Sequence, residues 1–200
     1  MKTNIKLKWP FSCYAGILVI VFYCVFTFTS LALFPPPFNA FDNWLSDLGN
    51  SSYNPNGAIF YNLGCILTGI MLFPFFIGLY NWYREDLWHK VLVIVTQFIG
   101  CFSGFALIMI GVFSEDFPAP HVFWSNVFFE VNLIVLILAS VTLYFHPDFF
   151  KWIALYGVIV AIINLLFVFF IGTPILEWFT VFTALGYVAL IVFNMYKKFR

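Results

Sequence analysis

Asp42 and Asp47, then Glu115, Asp116 and His121, then Glu177 fall in or beside three stretches that separate long apolar runs, and no Lys or Arg accompanies them there. Carboxylates gathered without a counter-ion repel one another, which raises some pKa values or collects a cation. Asp47, Glu115, Asp116 and His121 are the set with chemistry in it. Hard carboxylate oxygens suit Ca²⁺ or Mg²⁺, and one His with two carboxylates suits Zn²⁺, so a divalent cation is the cofactor this set would take. Without a metal the same four residues are candidate catalytic acid/base groups. The plainer reading, solvated loop charges, stands beside both.

Spacing adds detail. Glu115-Asp116-Phe117-Pro118-Ala119-Pro120-His121 is a short connection restricted by two prolines. Pro120 can open a helix, which puts Glu115 and Asp116 just before its positive end. His121 and Ser125 lie four apart, hence on one helical face, and Asn132 lies near it. A His–Ser pair so placed could serve nucleophilic chemistry, although no nucleophile-elbow glycines flank Ser125. Glu130 lies about ten residues into the same run, ~15 Å deep at 1.5 Å per residue. An ionisable group at that depth is costly and marks function or a buried polar contact. Helical geometry sets it opposite His121, which argues against one site using both. Hydrogen bonds to Asn62, Asn164 or Gln97 would make Glu130 a structural link. With Asn132 and Asn164 it could instead line a transport path.

The elements that must position these residues are transmembrane helices. Of 200 residues 63 % are hydrophobic and 9 % charged, against roughly 25 % charged in a soluble domain. So few charges cannot cover a surface in water. Six runs reach the ~20 residues a spanning helix needs: roughly 11–34, 57–80, 90–113, 120–145, 151–172 and 175–196. The fold class is an all-α bundle of six transmembrane helices in a single domain, residues 1–200. Prolines fall at or between the run ends, except Pro74, where a kink is expected. The first run exceeds the usual 7–15-residue core of a cleaved signal and reads as a retained helix.

All nine Lys and Arg thread to one face, which the positive-inside rule makes cytoplasmic, with both termini. Tryptophans fall at both boundaries: Trp9, Trp82, Trp88 and Trp152 inside, Trp44, Trp124 and Trp178 outside. The outer loop 35–56 is long and invites a short interfacial helix over Phe41–Leu48. Cys13, Cys24, Cys65 and Cys101 sit in apolar runs as small hydrophobes. Gly100 and Gly104 form a GxxxG pair suited to close helix packing, within the chain or in a homo-oligomer. His89 and His146 belong to the inner boundary, too far from His121 for a three-histidine zinc site. No phosphate loop, haem motif or nucleic-acid stripe is present.

Ser46-Asp47-Leu48-Gly49-Asn50, followed by Asn54-Pro55, and Gly111-Val112-Phe113-Ser114-Glu115-Asp116 with His121 shortly after, form two motifs. Both resemble prokaryotic six-helix membrane proteins of unknown function, related to the DRAM-like and GPI-anchor-remodelling (Frag-type) membrane proteins. The resemblance spans most of the chain; it implies a link to lipid remodelling, lysosomes and membrane signalling through the eukaryotic members and no settled activity for the prokaryotic branch. It matches Asp47, Glu115, Asp116 and His121 to motif positions and implies no agreed catalytic role.

The expected function is therefore a multi-pass protein of a cell membrane that handles membrane lipid at the outer leaflet, as hydrolase or transferase. A small transporter using Glu130, or a scaffold without turnover, are the alternatives.

Overall fold

A computed structural model describes residues 9–200; Lys2, Lys6 and Lys8 lie outside the described residues. Six α-helices follow one another: α1 (Phe11–Leu33), α2 (Ala58–Ile77), α3 (Leu87–Val112), α4 (Pro118–Tyr144), α5 (Lys151–Phe169) and α6 (Pro174–Lys198). All six are long and apolar enough to cross a membrane, and no strand occurs among the described residues. Phe98 is 77 % exposed and Phe11 62 %. Such surfaces are stable only against hydrocarbon, and the chain is an integral, multi-pass membrane protein.

Each helix packs on its neighbours in sequence, and α6 returns to α1, so the bundle closes into a ring. One end carries Asp42, Asp47, Glu115, Asp116 and Glu177, and is called the acidic end below. The other carries Arg84, Lys90, Lys151, Lys197, Lys198 and Arg200, the basic end.

Gly100 and Gly104 explain the close contact of α2 with α3. A Cβ on Gly104 would come 2.9 Å from the Gly69 carbonyl oxygen, and one on Gly69 2.6 Å from that of Gly104. A Cβ on Gly100 would meet the Phe76 ring at 2.4 Å. The α2 and α3 backbones therefore touch, as small residues allow in lipid. The close packing expected of this glycine pair is made within the chain. Gln97, near the same stripe, donates to the Ile77 carbonyl and accepts from Tyr83.

Two other expectations change, those for Trp82 and for Phe41–Leu48. Pro74 lies inside α2 as expected, and four residues later the helix tightens into a 3₁₀ turn, Gly78–Trp82. Trp82 joins no boundary belt: it is fully buried against His146 and Phe149, with the Lys198 ammonium 4.3 Å from its ring centroid. Phe41–Leu48 is not a helix; only Ser46–Gly49 coils, as a 3₁₀ turn. Its polar side chains compete for the backbone. Asn39 Oδ1 accepts from Phe41 N–H, and Asp47 Oδ2 accepts from Trp44 N–H at 3.0 Å, the local bonding by which Asn and Asp displace helix.

A leucine at Gly104 must push α2 and α3 apart. Gly104→Leu should lose about 1–3 kcal/mol or more to overpacking, read as a lower unfolding temperature in detergent. Phe98→Leu on the lipid face should leave that temperature nearly unchanged.

Candidate functional site

The segment 35–56 is a plug seated in the acidic end of the ring. Leu45 and Leu48 are its buried wedge, and one asparagine anchors it. Asn54, wholly buried, brings Nδ2 within 3.1 Å of Ser30 O, 2.9 Å of Ser30 Oγ and 3.0 Å of Leu48 O. Its Oδ1 accepts from Gly57 N–H at 3.1 Å, at the start of α2. Further ties run to every side. Asn62 of α2 donates to Gly49 O, Trp178 of α6 to Asn43 O, and Leu45 N–H to Glu177 Oε2 at 2.7 Å. Ser51 donates through its N–H and hydroxyl to Asp116 Oδ1 at 2.9 and 2.8 Å, while Ser114 donates to Oδ2.

Asp116 is thus a clasp between two connections. Burial alone would raise its pKa, but the bonds from Ser51 and Ser114 outweigh it and hold the carboxyl below its usual value.

Beside the plug a groove of about 770 Å³ opens along α4. Pro118, His121, Val122, Ser125, Asn126, Phe129 and Glu130 form one wall, Phe167, Val168, Phe169 and Gly172 another. Trp44, Ser46, Asn50, Tyr53, Glu115 and Glu177 complete the acidic end. At ~100° per residue the α4 lining spans about half the helix circumference. His121 and Glu130 do lie on opposite flanks of α4, as their spacing requires, yet the groove is broad enough to border both. Sequence spacing had argued against that pairing.

His121 is 5 % exposed. Its Nδ1 lies 2.8 Å from the Phe113 carbonyl oxygen. A carbonyl only accepts, so Nδ1 carries the proton and the neutral ring leaves Nε2 as a bare lone pair. That Nε2 is buried and has no hydrogen-bond partner. Glu115 Oε2 is likewise buried without one. Burial, with Asp47 alongside, pushes the Glu115 carboxyl up to about 7.

The sequence profile of a protein family of unknown function, DUF998, matches residues 17–194. The chain belongs to the DUF998 family. No curated protein and no solved structure matches it, and the comparisons do not connect it to the DRAM-like or Frag-type proteins.

Of the site residues read from the sequence of this DUF998 member, His121 and Glu115 line the groove, whereas Asp47 lines a neighbouring cleft of about 710 Å³ that Glu115 also borders. Among the described residues no three His, Cys, Asp or Glu side chains gather as a metal-binding group. Asp116 bonds to serines, Asp47 Oδ2 to Asn43 and Trp44, and Asp47 lies alongside Glu115. Asn132 lines a separate central cavity of about 80 Å³, and Asn164 is wholly buried in α5 with both amide atoms unpartnered. Neither shares the groove with Glu130, and Asn62 and Gln97 bond elsewhere.

Glu177 is the member that spacing undervalued. It is 7 % exposed and lines both the groove and a small cavity of about 30 Å³ leading inward. The signal was present in Pro174-Ile175-Leu176-Glu177-Trp178, a carboxylate flanked by apolar residues in the first turn of a spanning helix.

Two outcomes follow. Asn54→Ala strands several buried polar groups at about 1–3 kcal/mol each; chymotrypsin should cut the loosened 35–56 segment faster than in wild type. Glu115, with its folded pKa above the usual 4.5, contributes stability present below about 4.5 and lost as pH rises through about 7. Glu115→Gln should flatten the wild-type decline in unfolding temperature over that window, where Asp116 is ionised in folded and unfolded chains alike.

Proposed function

We propose that this protein takes an amphiphile from the outer leaflet of a cell membrane into the α4 groove and acts on it there as a hydrolase or transferase. The acidic end faces outward in this reading, because Arg84, Lys90, Lys151, Lys197, Lys198 and Arg200 crowd the opposite end and basic loops stay cytoplasmic. The observation that carries the proposal is the bare Nε2 of His121, buried at the top of a groove whose other wall is phenylalanine and valine.

The Phe113 carbonyl fixes the ring tautomer, as a positioning group does for a general base. An incoming hydroxyl, from water or an alcohol, would add its oxygen to an ester carbon while Nε2 takes its proton. The leaving alkoxide would recover that proton from Nε2. Ser125, one turn along and in the same groove, would hold the hydroxyl. Phe129, Phe167 and Phe169 offer a path for an acyl chain.

A transport path is less well supported, since Glu130, Asn132 and Asn164 line no common cavity.

Purified protein is incubated with a native lipid extract, and lipids and soluble products are followed by mass spectrometry. Wild type should consume one lipid class, and His121→Ala, folded to the same helix content, should be slower by about 10²–10⁴-fold, the range for loss of a general base. Full turnover in His121→Ala would remove His121 from the mechanism. A lipid carried unchanged by both proteins would overturn the catalytic half.

A further inference from the structure

The groove wall is unusual in what it offers hydrogen bonds. Glu115, Glu130 and Glu177 are carboxylates, His121 Nε2 is a lone pair, and no Lys or Arg lines the cavity. Two of the acceptor atoms, His121 Nε2 and Glu115 Oε2, are buried and unpartnered. A buried acceptor without a donor is a cost that an occupant bearing N–H groups would relieve.

The charge has the same sense. Three carboxyl groups with no cation beside them favour a positive guest, which stabilises their ionised form, and reject a phosphate. A small metal ion is a poor match, because no three ligating side chains gather within its reach among the described residues. Acceptors dispersed around about 770 Å³ suit a larger cation with several donors on one centre. Trp44 and Tyr53 at the acidic end add aromatic rings, which attract an ammonium. Below them Phe129 and Phe167 make the wall apolar.

Resting on the lipid-handling reading above, we infer that the guest is a long-chain primary amine, its ammonium among Glu115, Glu130 and His121 and its chain along α4 and α5. A quaternary ammonium has the charge but no N–H for the two orphaned acceptors. A free polyamine has the donors but no chain for the phenylalanine wall.

The test is binding to purified protein in neutral detergent, read by tryptophan fluorescence, with dodecylamine, dodecyltrimethylammonium, dodecanol, putrescine and Ca²⁺ as probes. Dodecylamine should bind at least about tenfold tighter than the trimethyl analogue or the alcohol, and about tenfold weaker in Glu115→Gln or Glu130→Gln. Partition into micelles is common to wild type and variants and cancels in that comparison. Equal binding of dodecylamine and its trimethyl analogue would overturn the requirement for N–H donors. Putrescine binding as tightly as dodecylamine would overturn the membrane source, and displacement of the amine by micromolar Ca²⁺ would make this a metal site instead. Selective binding or turnover of a lipid lacking an amine would overturn the headgroup inference and leave the lipid-handling reading standing. No amphiphile bound at all would sink both.

Discussion

The acidic end of this bundle depends on one buried amide. Asn54 gathers the last turn of α1, the 3₁₀ turn at Ser46–Gly49 and the first turn of α2 into one hydrogen-bonded knot. Inside a membrane protein an unpaired backbone carbonyl has no water to turn to, so the ends of helices must be satisfied by the chain itself. Asn54 does so for Ser30 and Leu48, and the chain has no room to rearrange around it: a Cβ on Gly57 would fall 2.4 Å from the Asn54 amide nitrogen. With the knot in place Leu45 and Leu48 stay wedged between helices, and Glu177 can spend its buried carboxylate on the Leu45 N–H. Every wall residue that the plug contributes to the groove, Trp44 and Tyr53 among them, inherits its position from this contact.

The groove itself comes from a mismatch of lengths. α4 has 27 residues and α5 only 19, so at 1.5 Å per residue α4 outreaches its neighbour by ~12 Å. α5 stops at Phe169, three residues sooner than its hydropathy suggests, where Phe170 and Ile171 both donate to the Leu166 carbonyl and Gly172 and Pro174 follow. Beyond that point the acidic end of α4 keeps α3 on one flank but has no α5 on the other. His121, Ser125 and Glu130 are accessible from one groove for this reason, and Glu130 escapes the burial cost that its depth in the sequence implies.

What the sequence made legible follows the same physics. Hydropathy run length, proline positions and the one-sided distribution of Lys and Arg are each set by the membrane, and they located six helices with ends mostly within three residues. Residue type also marked the acidic end, because no other connection between helices carries carboxylates without cations in or beside it. The division of labour among those carboxylates was not legible. Asp116 and Glu115 are adjacent in sequence, yet one is held by two serines and the other left with an unpartnered oxygen. That difference depends on where residue 51 lies, 65 positions away, and no local pattern encodes it. Asn54 was visible only as part of a motif; its three acceptors come from two separate segments. Phe41–Leu48 failed as a helix because Asn39 and Asp47 bond the backbone locally, an alternative that hydrophobic periodicity does not weigh.

These two constraints, the knot and the short α5, pull in opposite senses. The Asn54 knot and the α2–α3 glycine contact close one side of the ring tightly, with backbones touching at Gly69 and Gly104. On the other side α4 is left half-covered at the acidic end. A six-helix ring packed equally all round would bury His121 and Glu130 against apolar neighbours, where a lone pair and a carboxyl have nothing to bond. An open ring would expose them to bulk water, where neither would discriminate between guests. Only the asymmetric arrangement keeps His121 Nε2 dry, oriented by Phe113 and still at the edge of a lipid-accessible space. Stiffness on one flank is thus the condition for chemistry on the other, which is why the residues that hold this fold and the residues that could act within it lie in the same two connections of the chain.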